Sequence, residues 1–384
     1  MDESTNPPAP TPPPSSPVTA PPPAFTAPPV IIPPAPKPKG GGGWKAFAII
    51  LLVFFLVSFM YNISSFFSGI FGDSDGASVR GTGPRLTEVL REDNNATDKI
   101  ALIELSGIIA SAATDTAGFD MVDVIRAQLK RAAKDNQVKA VILKVDSPGG
   151  EVLASDEIYG AIRDFQATTL KPVVASMGGV AASGGYYVSA PCQWIVANEL
   201  TITGSIGVIM SSLNYYGLME KIGLKPQVYK SGKFKDMMSG TRNPAAVPEE
   251  ERAMLQNLID ETYGRFKEVV AEGRAGSMKR NGGKGQKLVE NWTEFADGRV
   301  MSGKEAFQRG FVDELGNFRV AVERTKTIAN LKSANLVVYQ QRFELADFFK
   351  VFGKTEGRVK IDLGMEIPKL PAGRLFFLSP TYLN

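Results

Sequence analysis

The sequence predicts an α/β domain, a largely parallel sheet with flanking helices, preceded by one transmembrane helix and a disordered Pro-rich leader. Three observations carry this. Between residues 99 and 197, short apolar runs alternate with segments of helical periodicity, the pattern of strand–helix–strand crossover units. Residues 46–67 form a stretch of 22 without a charge. Residues 1–43 hold 16 of the 26 prolines and end in the glycine run Gly40 to Gly43.

The leader, residues 1–43, has almost nothing with which to build a core. Pro7 to Pro38 reads as a polyproline-II-like tether, reaching roughly 100 Å at about 3.1 Å per residue. It is either a plain spacer, the simpler reading, or a PxxP ligand for a partner. As a helix, residues 46–67 extend about 33 Å, enough for a hydrocarbon core of about 30 Å. Trp44 and Tyr61 suit the two interfaces. Lys37, Lys39 and Lys45 precede the span, and Asp73 and Asp75 follow it. That bias puts the amino terminus in the cytoplasm and the folded domain outside it. The rival reading is a cleaved signal peptide, but the leader is long for an n-region and no small-x-small site follows at once.

Residues 74–97 read as a polar linker and 98–335 as the folded domain. Within it, 99–109 is expected as a strand. Residues 120–134 are expected as a helix, with Met121, Val124, Ile125 and Leu129 on one side. A buried strand at 138–145, a helix at 155–165 and a strand at 172–176 follow. A short small-residue helix is expected at 182–190 and a strand at 193–197. Residues 249–273 form a long amphipathic pattern, and 304–310 and 318–331 are shorter helices. Residues 336–384 read as a C-terminal extension, with an apolar patch from Leu375 to Leu378.

The chain has 43 Lys plus Arg, 40 Asp plus Glu, one Cys and no His. Without His, it carries no Ser-His-Asp or Cys-His unit and none of the usual zinc sites. No metal or cofactor is expected. A nucleophilic enzyme would need Lys, a carboxylate, Tyr or an amino terminus as its base. Cys192 alone forms no intrachain disulfide and reads as a small core residue. A net charge of +3 with mixed signs leaves no nucleic-acid footprint.

Two glycine-rich turns stand at predicted strand ends, Asp146-Ser-Pro-Gly-Gly-Glu-Val152 and Gly178-Gly-Val-Ala-Ala-Ser-Gly-Gly-Tyr-Tyr187. Amides at such turns can hold a developing oxyanion, although most such turns are packing devices. Neither is a phosphate loop, and no GxGxxG turn opens a helix. Ser183 is the suggestive nucleophile, flanked by Ala181, Ala182, Gly184 and Gly185 at a predicted helix start. A free Lys amine is neutral only about once in 2,500 molecules at pH 7, so a Lys base must titrate near roughly 7 or 8. Lys230, Lys233 and Lys235 are the candidates. Spacing does not choose among them, and a solvated surface cation is the plain alternative for each. Tyr186 and Tyr187 read equally as subsite lining or core, and Ser147 as a turn residue.

Six ordered blocks resemble the signal peptide peptidase A (protease IV) family in its short, single-unit form. They are DKIALIELSGII at 98–109, DSPGGEV at 146–152, GGVAASGGYYVSA at 178–190, TGSIGV at 203–208, SGKFKDM at 231–237 and GRVMSGKEAFQRGFVDELG at 298–316. The resemblance spans roughly residues 95–335. It implies a crotonase-like fold shared with the ClpP protease, and a Ser/Lys dyad. Carried onto this chain, it makes Ser183 the nucleophile, Lys235 the general base and Ser205 the residue that positions the Lys amine. Gly150 and Gly184 would supply oxyanion amides. It further implies cleavage of remnant signal peptides bound as extended strands, with small or apolar side chains preferred. The setting would be a bacterial inner membrane, with the peptidase domain on the extracytoplasmic side. A homo-oligomeric ring or dome is implied, an octamer for a chain of this length, with Ser and Lys drawn from neighbouring copies. Two rivals remain: a catalytically silent membrane scaffold, against which the intact Ser, Lys and Ser set counts, and a stomatin-operon-type Ser/Lys protease.

Overall fold

A computed structural model describes residues 47–59, 83–111, 119–341 and 375–378. The chain divides into two compact units, 1–79 and 80–384. In the first, residues 47–59 form helix α1, an apolar run in which every side chain is exposed, Phe54 at 70%. These are the described part of the predicted span at 46–67. Among the described residues, no helix is long and apolar enough to cross a membrane. The leader at 1–43 lies outside the described residues.

The second unit alternates strands and helices from its start. Its elements begin with β1 (Leu86–Glu92), β2 (Lys99–Ser106), α2 (Met121–Lys134), β3 (Val138–Ser147), β4 (Gly149–Glu151), α3 (Val152–Thr169) and β5 (Val173–Ala182). Next come α4 (Gly184–Ser189), β6 (Trp194–Ala197), β7 (Ile202–Gly204), α5 (Tyr216–Lys221) and α6 (Glu249–Arg280). The chain closes with β8 (Val300–Ser302), α7 (Gly303–Gln308), β9 (Glu314–Leu315), α8 (Phe318–Ile328), β10 (Asn335–Gln341) and β11 (Phe376–Leu378).

The main sheet runs β1-β10-β2-β3-β5-β6-β9, with β7 beside β5 and β8 beside β7. It is parallel from β10 to β9; β1 and β8 add antiparallel edges. Its centre is buried on both faces, as the near-continuous apolar run Ala140 to Leu143 of β3 requires. One face packs on α2, α3, α4 and the second half of α6, through Ile125, Leu129, Ile158, Tyr187 and Phe266. The other packs on α8, where Phe318 and Val322 meet Ile100, Leu102 and Ile142. Helix α2 starts where the Asp120 side chain accepts the Asp123 amide at 2.8 Å, a standard N-cap.

Four differences from the sequence expectation bear on the architecture. Residues 86–92 fall in the expected linker, yet β1 pairs antiparallel with β10. It is a polar edge strand with one face in solvent, so no apolar run announces it. Strand β10 itself starts at the expected domain end, yet it lies between β1 and β2 inside the sheet. Ala182 ends β5 rather than opening a helix. Finally, α6 continues through Gly273 to Arg280. Gly273 is a contact point, because a Cβ there would lie 2.3 Å from the Ala190 carbonyl. One residue on, the buried Arg274 guanidinium donates to Asp313 Oδ2 at 2.9 Å and to the Gly310 carbonyl at 3.2 Å, tying α6 to the chain before β9.

Candidate active site

Strands β5 and β7 end side by side. Ala182 pairs with Gly204, so Ser183 and Ser205 leave adjacent strands as neighbours. Both turn with positive φ, 53° and 49°. A residue with a Cβ holds that conformation only where its surroundings enforce it. Here the Ser183 amide donates to the Gly204 carbonyl at 2.8 Å and the Ser205 amide to the Arg299 carbonyl at 2.7 Å. The result is a sharp corner with Ser183 at its apex, immediately before α4. Ser183 Oγ is buried and has no hydrogen-bond partner among the described residues. A buried hydroxyl left so costs roughly 1–3 kcal/mol.

Strand β4 approaches the same corner. Ser147 Oγ donates to the Gly107 carbonyl at 2.6 Å and accepts the Gly149 amide at 3.1 Å. The Ile109 amide donates to the Gly149 carbonyl at 2.9 Å, and the Glu151 amide to the Ile109 carbonyl at 2.8 Å. These bonds use one edge of β4, so the Gly150 amide and carbonyl face the other edge. On that edge lies β11, antiparallel, with Phe377 opposite Gly150. The Val152 amide donates to the Leu375 carbonyl at 3.2 Å. Along its far edge, β11 exchanges two bonds between Phe376 and Ile209, at 3.1 and 3.2 Å. Residues 375–378 are therefore held extended between strand β4 and the isolated bridge at Ile209.

Three backbones meet here with no room for side chains. A Cβ on Gly149, whose φ is +99°, would lie 2.0 Å from the Phe377 carbonyl oxygen and 2.6 Å from the Gly184 nitrogen. A Cβ on Gly184 would lie 3.2 Å from the Gly150 nitrogen, and one on Gly150 would lie 1.9 Å from the Ile109 carbonyl oxygen. The Gly150 amide thus faces β11 at Phe377, and the Gly184 nitrogen lies in the same corner. The Phe377 ring is fully buried, 4.8 Å from that of Tyr187 and 4.6 Å from that of Phe266. Tyr187 donates to Asp156 Oδ1 at 2.6 Å, and burial with that bond pushes its phenol far above the ordinary value. Tyr186 is core, donating to the Phe311 carbonyl at 2.9 Å. Cys192 is also core, its thiol pushed up to about 12 by burial.

The lysines stand on a surface loop. Lys230 donates to Asp236 and holds that carboxyl below the usual carboxylate range. Lys233 pairs with Glu250. Lys235 is exposed and, of the three, is the one with no side-chain partner among the described residues. The fold brings together Ser183, Ser205, Gly150 and Gly184. It does not join Lys235 to Ser183 within one chain. Sequence reasoning missed Gly149 and Ile209. The repeated glycine of the DSPGG turn was the signal for Gly149, whereas nothing local marked Ile209. The Leu375 to Leu378 patch was legible, but not its place.

Comparison with known proteins agrees in the same region. The sequence profile of peptidase family S49 matches residues 166–332, and that of Clp protease matches residues 100–193. A protein of Enterococcus faecium provisionally named signal peptide peptidase SppA is 37% identical over 262 residues, covering 66% of this chain and 71% of its own length. Protease 4 of Haemophilus influenzae is 36% identical over 250 residues, 64% of this chain but 37% of that longer protein. The chloroplastic serine protease SPPA of Arabidopsis thaliana is 34% identical over 237 residues, 61% of this chain and 33% of its own.

Proposed function

Because the chain belongs to peptidase family S49 and is a serine endopeptidase, we propose that it cleaves extended apolar peptides, released signal peptides among them, through a Ser183/Lys235 dyad completed between two copies of the chain. The observation that carries this is the buried Ser183 Oγ, without a hydrogen-bond partner among the described residues, at a corner where an extended strand pairs with Gly150 and the Gly184 nitrogen lies close by. An extended peptide seated as β11 is seated gains backbone bonds on both edges, the strand-addition mode of recognition.

The chemistry follows. The neutral Lys235 amine takes the Ser183 proton, and Oγ attacks the peptide carbonyl. Its oxygen gains negative charge on the Gly150 and Gly184 amides. The Lys ammonium then protonates the leaving amine as the C–N bond breaks. Water, deprotonated by the same amine, releases the acyl group and restores Ser183. Ser205, beside Ser183 at the ends of paired strands, positions the Lys amine.

Completion in trans is supported by the exposed Lys235, which has no side-chain partner among the described residues, and by its surroundings. Leu213, Leu218, Leu224 and Tyr229 on the same stretch are 87%, 61%, 54% and 93% exposed. A neighbouring copy would cover them, consistent with a ring or dome such as an octamer. The exposed apolar side chains of α1, with lysines before the span and aspartates after it, support a single anchor in a bacterial inner membrane. The leader would then be cytoplasmic and the peptidase domain extracytoplasmic.

The test uses the full chain in detergent with an apolar fluorogenic peptide. Ser183→Ala and Lys235→Ala are each expected to lose at least about a thousandfold in kcat. Mixed after subunit exchange, they regain part of it. Activity in folded Ser183→Ala equal to wild type refutes the site. No recovery despite demonstrated exchange places both residues in one chain.

A further inference from the structure

We propose that the basic groove between the start of β1 and the outer face of α2 docks the folded domain on a membrane surface rich in anionic phospholipid. The inference rests on the reading of residues 46–67 as a membrane anchor and is independent of the Ser183 site.

Helix α2 buries Val122, Ile125, Leu129 and Ala132 against the sheet. Its opposite face repeats cations at a helical spacing of four, Arg126, Lys130 and Lys134, with Arg131 beside them. The chain entering β1 lies across from that face, and Arg85 closes the other wall of a shallow groove of about 660 Å³. Arg131 fixes its shape, donating to the Leu86 carbonyl and lying 5.5 Å from the centre of the Tyr339 ring. Five cations thus line the groove against one carboxylate, Asp123. The other acids nearby are already engaged. Lys99 bridges Glu88 and Asp135 at 2.7 and 3.1 Å, and Glu157 meets Arg126 at 3.2 Å. Lys130 and Lys134 are exposed and have no carboxylate partner among the described residues.

A helix C-terminus attracts cations on its own account. Here the Lys171 amine already meets the last carbonyls, those of Ala132, Ala133 and Asp135, at 2.7, 3.2 and 2.8 Å. Lys130 and Lys134 are therefore surplus to the helix, and like charges four residues apart repel. An anionic surface relieves that repulsion. The groove also opens where the domain joins its anchor. Between Gly83, at its rim, and the apolar stretch lie residues 68–82, which can span at most about 50 Å. A bilayer carrying the stretch is therefore always within that reach. At the resulting effective concentration a few attractive charges suffice. A free polyanion has no such tether.

The test uses the full chain reconstituted into phosphatidylcholine vesicles, with or without about a third of phosphatidylglycerol. A fluorophore on Thr87→Cys, exposed on β1 beside the groove, transfers energy to a headgroup-labelled lipid, while the buried Cys192 stays unlabelled. At about 0.05 M salt, phosphatidylglycerol should raise the transfer at least about twofold, and about 0.5 M salt should abolish the rise by screening. Each cation near an anionic surface favours docking about fivefold, so Lys130→Gln with Lys134→Gln should lower the docked-to-undocked ratio about twentyfold. Lys130→Glu with Lys134→Glu should abolish the rise. Lys326→Glu with Lys332→Glu, the same charge change on and just after α8 across the sheet, should keep it. No phosphatidylglycerol response in wild type overturns the proposal. So does an unchanged response in the folded Lys130 and Lys134 variants, or a response lost equally in the α8 control, which would make it an effect of net charge. Flotation at about 0.5 M salt reads the anchor separately. A chain that leaves phosphatidylcholine vesicles there refutes the anchor. Flotation with phosphatidylglycerol vesicles at low salt then reads the groove alone: its loss in the Lys130 and Lys134 variants upholds the docking surface, and its absence in wild type overturns it.

Discussion

Replacing Gly150 by Ala tests its proposed oxyanion role, and the structure gives the displacement the substitution forces. The added Cβ would sit 1.9 Å from the Ile109 carbonyl oxygen. Cβ atoms do not approach closer than about 3 Å, so β4 must retreat from Ile109 by roughly an ångström or rotate about Gly150. Either movement takes the Gly150 amide off the peptide carbonyl. Loss of one such donor costs about 10²–10³ in kcat, roughly 2.7–4 kcal/mol of transition-state stabilisation. The loss should fall on kcat more than on KM, because the donor is strongest against developing charge. The assay is steady-state kinetics on a fluorogenic peptide, with circular dichroism to verify folding. Gly160→Ala is the matched control. It lies inside α3 with nothing within 4 Å of its added Cβ. It should leave kcat unchanged and stabilise the protein by about 0.5–1 kcal/mol. A folded Gly150→Ala protein that keeps more than a third of wild-type kcat would refute the oxyanion assignment.

Three further outcomes test the surrounding structure. Asp313→Ala strands the Arg274 guanidinium, which is 2% exposed, and should cost about 3–5 kcal/mol in urea unfolding; a loss under about 1 kcal/mol would show the pair does not hold α6. The Lys99 amine is held above its ordinary value, chiefly by its bond to Glu88 at 2.7 Å and also by Asp135 at 3.1 Å. A raised value contributes stability present below the unfolded value of about 10.5 and lost as pH rises through the folded one. The melting temperature should therefore fall more steeply above that pH in wild type than in Lys99→Met; parallel curves would discount the contact. Cys192, buried and poorly ionised, should resist maleimide at pH 8 until the chain is unfolded, and rapid native labelling would contradict its burial.

The sequence by itself determined the class of fold and named candidates for the reacting groups. Apolar runs such as Val141 to Leu143 alternate with helical periodicity such as that of residues 121–134, and that alternation made the crossover architecture legible. Absence of His left Lys as the natural base for Ser183, and glycine spacing marked both turns. What depended on local pattern alone ended there. The polar edge strand β1 escaped because its stability comes from pairing with β10, not from an apolar run of its own; β10 has such a run, Leu336 to Tyr339, but its place beside β2 is a long-range pairing. Gly273 looked like a helix stop because its contact, the Ala190 carbonyl, is 83 residues away in the chain. Only the tertiary structure put Ser205 beside Ser183, since that neighbourhood is a pairing of two strands separated by a helix and β6. Only it showed Lys230 and Lys233 paired with carboxylates and Lys235 without a side-chain partner among the described residues. And only it placed Phe377 against Gly150, Tyr187 and Phe266. Strand pairing and aromatic packing are long-range contacts, and a pattern read along the chain carries the residues that make them but not the partners they meet.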